Sequence, residues 1–207
     1  MPLITTRSLR SFLLLFMMIC IMVPISASGV RLLSETERER FVQAALDQVG
    51  VTVMYDPAYV KLPYPGGDVP MERGVCTDVV IRALRKLGKD LQVLVHEDMR
   101  RHFSAYPKKW GLKKPDRNID HRRVPNLMCW FTREGYSQPI TSRETDYLPG
   151  DIVAWALSDG RPHIGIVSHL PVPETRRLLC VHNIGAGAQL EDVLFAFQII
   201  GHYRMFK

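Results

Sequence analysis

From Leu148 onward the 207-residue chain changes its period. "PGDIVAWAL", "HIGIVSHL", "RLLCVHNI" and "AFQIIGHYRMF" are short runs rich in valine, isoleucine and aromatics, and the turn residues "SDGRP" separate the first two as in a hairpin. Upstream, apolar residues recur at helical spacing instead. Helices first and antiparallel strands afterwards predict an α+β fold, with the helices packed on one side of a small twisted sheet or half-barrel. Ser34 and Glu37 fit a capping box; Phe41, Ala44, Ala45, Leu46 and Val49 follow, and Gly50 ends the run. Val79, Val80, Ala83, Leu84 and Leu87 form one face of a helix that begins near Cys76 and stops at Gly88. Further helices are expected at about Val93 to Ala105 and at Pro125 to Arg133. "VTVMYD", Val51 to Asp56, reads as extended. "PAYVKLPYPGGDVPMERG" after it reads as an irregular loop, of a length that usually serves function.

The N-terminus has a different logic. Arg7 and Arg10 precede the apolar run "SFLLLFMMICIMV", and "PISAS" follows with small residues, the pattern of a secretory signal peptide cleaved after Ala27 or Ser28. The run is short for a membrane span, so no stable span is expected after cleavage. Residues 1–27 are therefore assigned to the signal and 28–207 to a single domain in a periplasmic or secreted setting. Losing Arg7 and Arg10 takes the 27 basic residues to 25 against 21 acidic ones, a mature charge of +4. That mild positive charge suits anionic partners such as cell-wall polymers and does not call for nucleic acid. Cys76, Cys129 and Cys180 remain; an oxidising compartment tends to pair thiols, and an odd count leaves one free.

"ERGVCTDVVIRALRKLG" places Cys76 at a helix start, where unpaired N–H groups favour a thiolate and could also hold an oxyanion. A buried apolar cysteine, a disulfide half and a metal ligand are the alternatives. A nucleophile needs a base, and the base an orienting group. His163 opens the strand "HIGIVS" after a turn; His182 and Asn183 end the next strand, and either could hold the imidazole in its tautomer. Metal chemistry finds no support: "HEDMRRH" has Arg100 where a zinc-protease helix needs histidine, His96 and His102 are six apart, and no CxxC pair exists. No metal or organic cofactor is expected.

In order, "YPGG" at Tyr64 to Gly67, "VCTDVVIRALRKLG" at Val75 to Gly88, "PGDIVAW" at Pro149 to Trp155, "HIGIVS" at His163 to Ser168 and "VHN" at Val181 to Asn183 resemble the NlpC-type cysteine peptidases, a bacterial branch of the papain-like fold that cuts peptidoglycan stem peptides. The phrases "GVCTDVVIRALR", "NIDHRRVPN", "PGDIVAW", "HIGIVS" and "VHNIGAG" are similar to a bacterial family of exported proteins, the YijF-like group. The resemblance spans roughly Tyr55 to Gly185. It implies a papain-like domain that hydrolyses an amide in a peptidoglycan peptide. Cys76 is then the nucleophile, His163 the base and His182 the orienting residue, with Asn183 as the alternative third member. The Cys76 backbone N–H would stabilise the oxyanion.

One departure concerns the nucleophile itself. Asp-Cys-Ser-Gly is common in the peptidases, whereas Val75-Cys76-Thr77-Asp78 stands here. Thr77 can take the helix-start hydroxyl role, and Asp78 could oppose a thiolate or meet a substrate amine. "PDRNIDHRRVPN" has no counterpart in the peptidase pattern; Arg122 and Arg123 in it could clamp substrate carboxylates, or the segment could be a solvated loop held by its own ion pairs. Tyr64 and Trp155 complete the substrate-binding candidates. Lys108, Lys109, Lys113 and Lys114 read as surface, and Trp110 as core or a loop anchor. The competing class is a non-catalytic protein that uses the same cleft to bind cell-wall fragments.

Overall fold

The structure, a computed structural model, describes residues 32–206. The expected signal segment 1–27, with Cys20 and the cleavage site, lies outside them. Four helices come first: α1 (Glu35–Leu46), α2 (Cys76–Arg85), α3 (Leu91–His102) and α4 (Val124–Arg133). A two-residue parallel pair, β1 (Met54–Tyr55) and β2 (Arg73–Gly74), lies between α1 and α2. Then β3 (Ile152–Ala156), β4 (Pro162–Pro171), β5 (Leu178–Asn183), β6 (Ala188–Glu191) and β7 (Gln198–Tyr203) form one antiparallel sheet in the order β6-β5-β4-β3-β7. The α+β class and the helix-then-strand order are those expected from the sequence. No helix among the described residues is long and apolar enough to cross a membrane.

Local chemistry accounts for the boundaries. Ser34 and Glu37 close a reciprocal capping box on α1. Gly88 turns the chain out of α2 at a φ of 72°. Of the extended segment expected over Val51 to Asp56, only Met54 and Tyr55 pair as a strand. The loop from Pro57 to Gly74 is gathered by one buried cation. Arg82 on α2 donates to both Asp68 carboxylate oxygens, to the Thr52 hydroxyl and to the carbonyls of Val69, Pro70 and Arg73. An irregular segment buries its polar groups only with such partners.

The alternation of the strands sorts side chains into two cores. Ile152, Ala154, Ile164, Ile166 and Val181 face the helices and pack with Phe41, Val80, Leu84, Leu127 and Phe131. Val153, Trp155, Val167 and Cys180 face the other way and pack with Tyr147 and Leu194. Both faces of the sheet are thus covered. Cys76, Cys129 and Cys180 are all free thiols, so the tendency to pair expected in an oxidising compartment is not realised. Asp151 of the "PGD" turn is wholly buried and accepts from the Leu148 amide, from His202 at 2.7 Å and from Arg204 at 2.7 and 2.8 Å, which ties the start of β3 to β7.

Gly165 is a tight point in the sheet, hemmed in by backbone and buried side chains. A Cβ there would lie 2.8 Å from the Val181 carbonyl oxygen, 3.0 Å from the His182 Cβ and 3.2 Å from the Trp155 ring. Gly165→Ala is therefore expected to destabilise the protein by about 1–3 kcal/mol through overpacking, read by urea unfolding. A change within about 0.5 kcal/mol, the range of a neutral surface substitution, would contradict this packing.

Candidate active site

Helix α2 begins at Cys76, and its first turn is held by Asp78. The Asp78 carboxylate accepts the Val75 amide at 2.7 Å and receives a two-pronged grip from Arg122, Nε at 3.0 Å and Nη2 at 2.9 Å. Both side chains are buried, 4% and 2% exposed. Thr77, expected to cap the helix through its hydroxyl, donates it to the Arg122 carbonyl instead. The residue that departs from the peptidase pattern is thus a structural clamp. Asp78 and Arg122 neutralise each other, so neither presents a free charge to a substrate, contrary to the role considered for them.

The Cys76 thiol is buried. The helix start favours a thiolate, and the amides of Ile164, Thr77 and Cys76 itself do lower the thiol pKa. Burial outweighs them, and together with the nearby Asp78 charge it leaves the thiol pushed up to about 12. The low thiol pKa expected from helix position alone is overturned. Ile164 follows His163 in the chain, so the amide that reaches the sulfur belongs to the strand that carries the imidazole.

Register brings the two histidines together. Gly165 pairs with His182 across β4 and β5, and His163 Nε2 lies 3.0 Å from His182 Nδ1 with the rings edge to face. His182 Nε2 in turn lies 2.9 Å from Glu191 Oε2, an ionic contact poorly aligned for a hydrogen bond. A carboxylate there favours the proton on Nε2 of His182. Nδ1 of His182 is then the acceptor, Nε2–H of His163 the donor, and Nδ1 of His163 a bare base; this tautomer is assigned from the partners. Burial, the neighbouring His182 and Arg161 hold the His163 pKa down at about 3. Burial also lowers that of His182, against the pull of Glu191.

Two adjoining cavities flank these groups. One, of about 350 Å³, contains Cys76 with Lys109, Trp110 and Arg123; the other, of about 160 Å³, contains His163 with Arg161 and Ile184. Tyr55 and Pro162 line both. Burial and the nearby Cys76 raise the Tyr55 hydroxyl pKa.

The other candidates fall on both sides of this site. Asn183 is fully buried and donates to the Gly74 carbonyl, so it braces the segment leading into Cys76, while His182 is the residue on His163. Arg123 lies in the Cys76 cavity. Tyr64 lines neither cavity; it packs edge-on against His96 beneath the Arg117 guanidinium. Trp155 does not line the cleft either. It is fully buried, stacks on His163 from behind at 5.7 Å and donates its indole N–H to the Leu194 carbonyl. Tyr55 and Glu191 were not singled out in the sequence. Tyr55 had no motif around it, and Glu191 meets His182 only through the β5–β6 register.

The family model described as "Domain of unknown function (DUF1287)" matches residues 42–205. The Escherichia coli (strain K12) protein "Uncharacterized protein YijF" is 59% identical over 162 residues, covering 78% of each chain. An N-acetylmuramoyl-L-alanine amidase from Bacteroides uniformis shares the fold in two crystal structures. The TM-scores are 0.51 and 0.52 at 12% and 13% identity, covering 83% of this chain and 100% of the amidase. NlpC1 from Trichomonas vaginalis aligns at a TM-score of 0.44 and 12% identity over 83% of this chain, which spans 45% of that protein. The α+β fold expected from the sequence is the one shared with the Bacteroides uniformis amidase.

Two predictions follow from the burial of charge. Asp78→Asn leaves the Arg122 cation without its counter-ion and is expected to cost about 3–5 kcal/mol in urea unfolding; the paired replacement Asp78→Leu with Arg122→Met costs less than either single change. A single-mutant loss below about 1 kcal/mol would mean that the pair does not clamp the helix. His163 stays neutral in the folded protein down to a pH of about 3 but protonates near 6.5 when unfolded. Stability is therefore full above 6.5 and falls as the pH drops towards 3, by about 3 kcal/mol between pH 7 and pH 4 from this residue. His163→Gln should flatten that slope, and an unchanged slope would contradict the buried neutral imidazole.

Proposed function

We propose that this chain, which belongs to the DUF1287 family, is an exported cysteine amidase that hydrolyses an amide bond in peptidoglycan peptides. The observation that carries the reading is the 3.0 Å contact from His163 Nε2 to His182 Nδ1, because with Glu191 behind it this contact leaves an unprotonated Nδ1 on His163 beside the Cys76 cavity. The substrate class is supported by the secretory signal expected over residues 1–27, by the mature charge of +4 and by the fold shared with an N-acetylmuramoyl-L-alanine amidase.

Both reacting groups are neutral at rest, since the thiol lies at about 12 and the imidazole at about 3. The proton therefore moves during attack, with His163 as a general base. The sulfur of Cys76 bonds to the amide carbon while His163 Nδ1 takes the thiol proton. The Cys76 amide and the Tyr55 hydroxyl donate to the oxyanion. The C–N bond then breaks, and His163 returns the proton to the leaving nitrogen. Water, deprotonated by His163, attacks the thioester and releases the carboxylic acid and the thiol. His182 and Glu191 position His163 and carry part of the imidazolium charge.

A second reading, a non-catalytic protein that binds cell-wall fragments, is favoured by one observation, the deeply buried and protonated Cys76 thiol. One experiment separates the two. Purified protein is incubated with peptidoglycan and with soluble muropeptides, and new amino groups and product masses are followed. Wild type is expected to release peptide, with Cys76→Ala and His163→Ala each at least about 10³-fold slower. Turnover by Cys76→Ala would sink the mechanism, and saturable binding without turnover by wild type would establish the second reading.

A further inference from the structure

The cavity that holds Cys76 has an unbalanced charge. Tyr55, Pro57, Val75, Ile119, Val124, Pro125 and Pro162 supply its apolar and aromatic wall, and no aspartate or glutamate lines it or the neighbouring His163 cavity. Three cations line it: Lys109, Arg122 and Arg123. Arg122 is spent on Asp78. The other two are available. Lys109 is exposed and forms no ion pair among the described residues. Arg123 makes one side-chain hydrogen bond, from Nη1 to Asp120 at 2.9 Å. Asp120 is buried and accepts the Asp116 amide as well at 2.6 Å, so it engages a single N–H of the Arg123 fork and leaves the others open to the cavity. The Arg123 guanidinium lies 4.0 Å above the Trp110 ring. An indole face holds a guanidinium flat and leaves its edge N–H groups free to meet a planar anion.

The two cavities take different parts of a substrate. His163 delivers a proton to the leaving nitrogen, so the leaving group lies on the His163 side, and the acyl group lies in the larger cavity on the Cys76 side. Resting on the amidase reading, we propose that this larger cavity is an acyl-side subsite selective for acyl groups that carry a free carboxylate, held by Arg123 on its Trp110 platform and by Lys109. A carboxylate matches the guanidinium fork, and the ammonium supplies a second charge. A carboxamide of the same shape forfeits the charge-assisted bonds and leaves two cations facing a neutral group.

The test compares two muropeptides identical except that the acyl residue carries a free carboxylate in one and its primary amide in the other. The readout is the ratio of kcat/KM, acid over amide, for wild type, Lys109→Gln, Trp110→Ala and Arg123→Gln. Wild type is expected to favour the acid about tenfold or more, the size of one or two charge-assisted hydrogen bonds. Lys109→Gln, an exposed change that leaves the Asp120 contact intact, should lower that ratio several-fold, and Arg123→Gln should bring it close to one. Equal turnover of acid and amide by wild type, or a proportional loss on both substrates in every variant, would overturn the subsite while the amidase reading stands. The same pair titrated into Cys76→Ala protein by calorimetry keeps the two proposals apart. Acid-selective binding without wild-type turnover upholds the subsite and removes the amidase, and non-selective binding removes the subsite.

Discussion

Everything at the site hangs on the Asp78–Arg122 ion pair. It joins residues 44 apart in sequence, and it fixes the one place where a helix start, the segment before α4 and the mouth of a cavity must coincide. A helix start needs its first amides satisfied, and Asp78 does this for Val75. The same carboxylate anchors Arg122, whose carbonyl then receives Thr77. Gly74 is part of the arrangement, because a Cβ there would meet the Asp78 carboxylate at 3.0 Å. Its carbonyl is also the acceptor for Asn183. Three segments, at residues 74–78, Arg122 and Asn183, therefore converge around Val75 and Cys76, and a small shift in any one would move the sulfur.

Burying such a pair costs desolvation, and its return is definition of geometry more than net stability. The neutral state of Cys76 and His163 follows from the same dense packing. A site exposed enough to keep a thiolate would give up the enclosure that holds the sulfur against the Ile164 amide. The structure instead keeps both groups uncharged and sets His182 and Glu191 in a row behind His163. Glu191 sits at the rim with its side chain half exposed, so its charge remains hydrated while it biases a buried ring. Polarity decreases inward along that row, from the Glu191 carboxylate to His182 to His163.

The elements of the fold were legible where the signal is local. The Ser34–Glu37 box, the apolar face of α2 and the alternation in "HIGIVS" each depend on neighbours within a few residues, and each marks an element that forms. The histidine pair was legible for a related reason, because adjacent antiparallel strands bring their ends together. What sequence could not supply was direction and distant pairing. Tyr64 precedes two glycines in a loop that reads as functional, yet it lines neither cavity, and Tyr55, pairing with β2, lines the Cys76 cavity instead. Trp155 lies opposite His163 in register, which puts it on the same face and so behind the ring, not in front of it. Asp78 does oppose the Cys76 thiolate, as its position implies, but its main role was hidden because its partner, Arg122, is 44 residues away. Lys109 and Trp110 looked like surface and loop because only the packing of that loop brings them over the cavity.

Strand period also explains why the site lies at the beginning of β4 and nowhere else along it. Neighbouring residues of a strand face opposite sides of the sheet. Ile164 faces the helices with Cys76, and His163 faces the core behind the sheet with Trp155. In the middle of the sheet a thiol on one face and an imidazole on the other would be separated by a continuous hydrogen-bonded layer. At the start of β4 stands Pro162, which has no N–H to give to a ladder and lines both cavities, and one further rung, from the Leu157 amide to the Arg161 carbonyl, closes the hairpin. The Cys76 cavity and the His163 cavity adjoin around that end. The turn "SDGRP" thus does more than join two strands: it sets where the sheet ends, and with it the edge at which the two cavities adjoin.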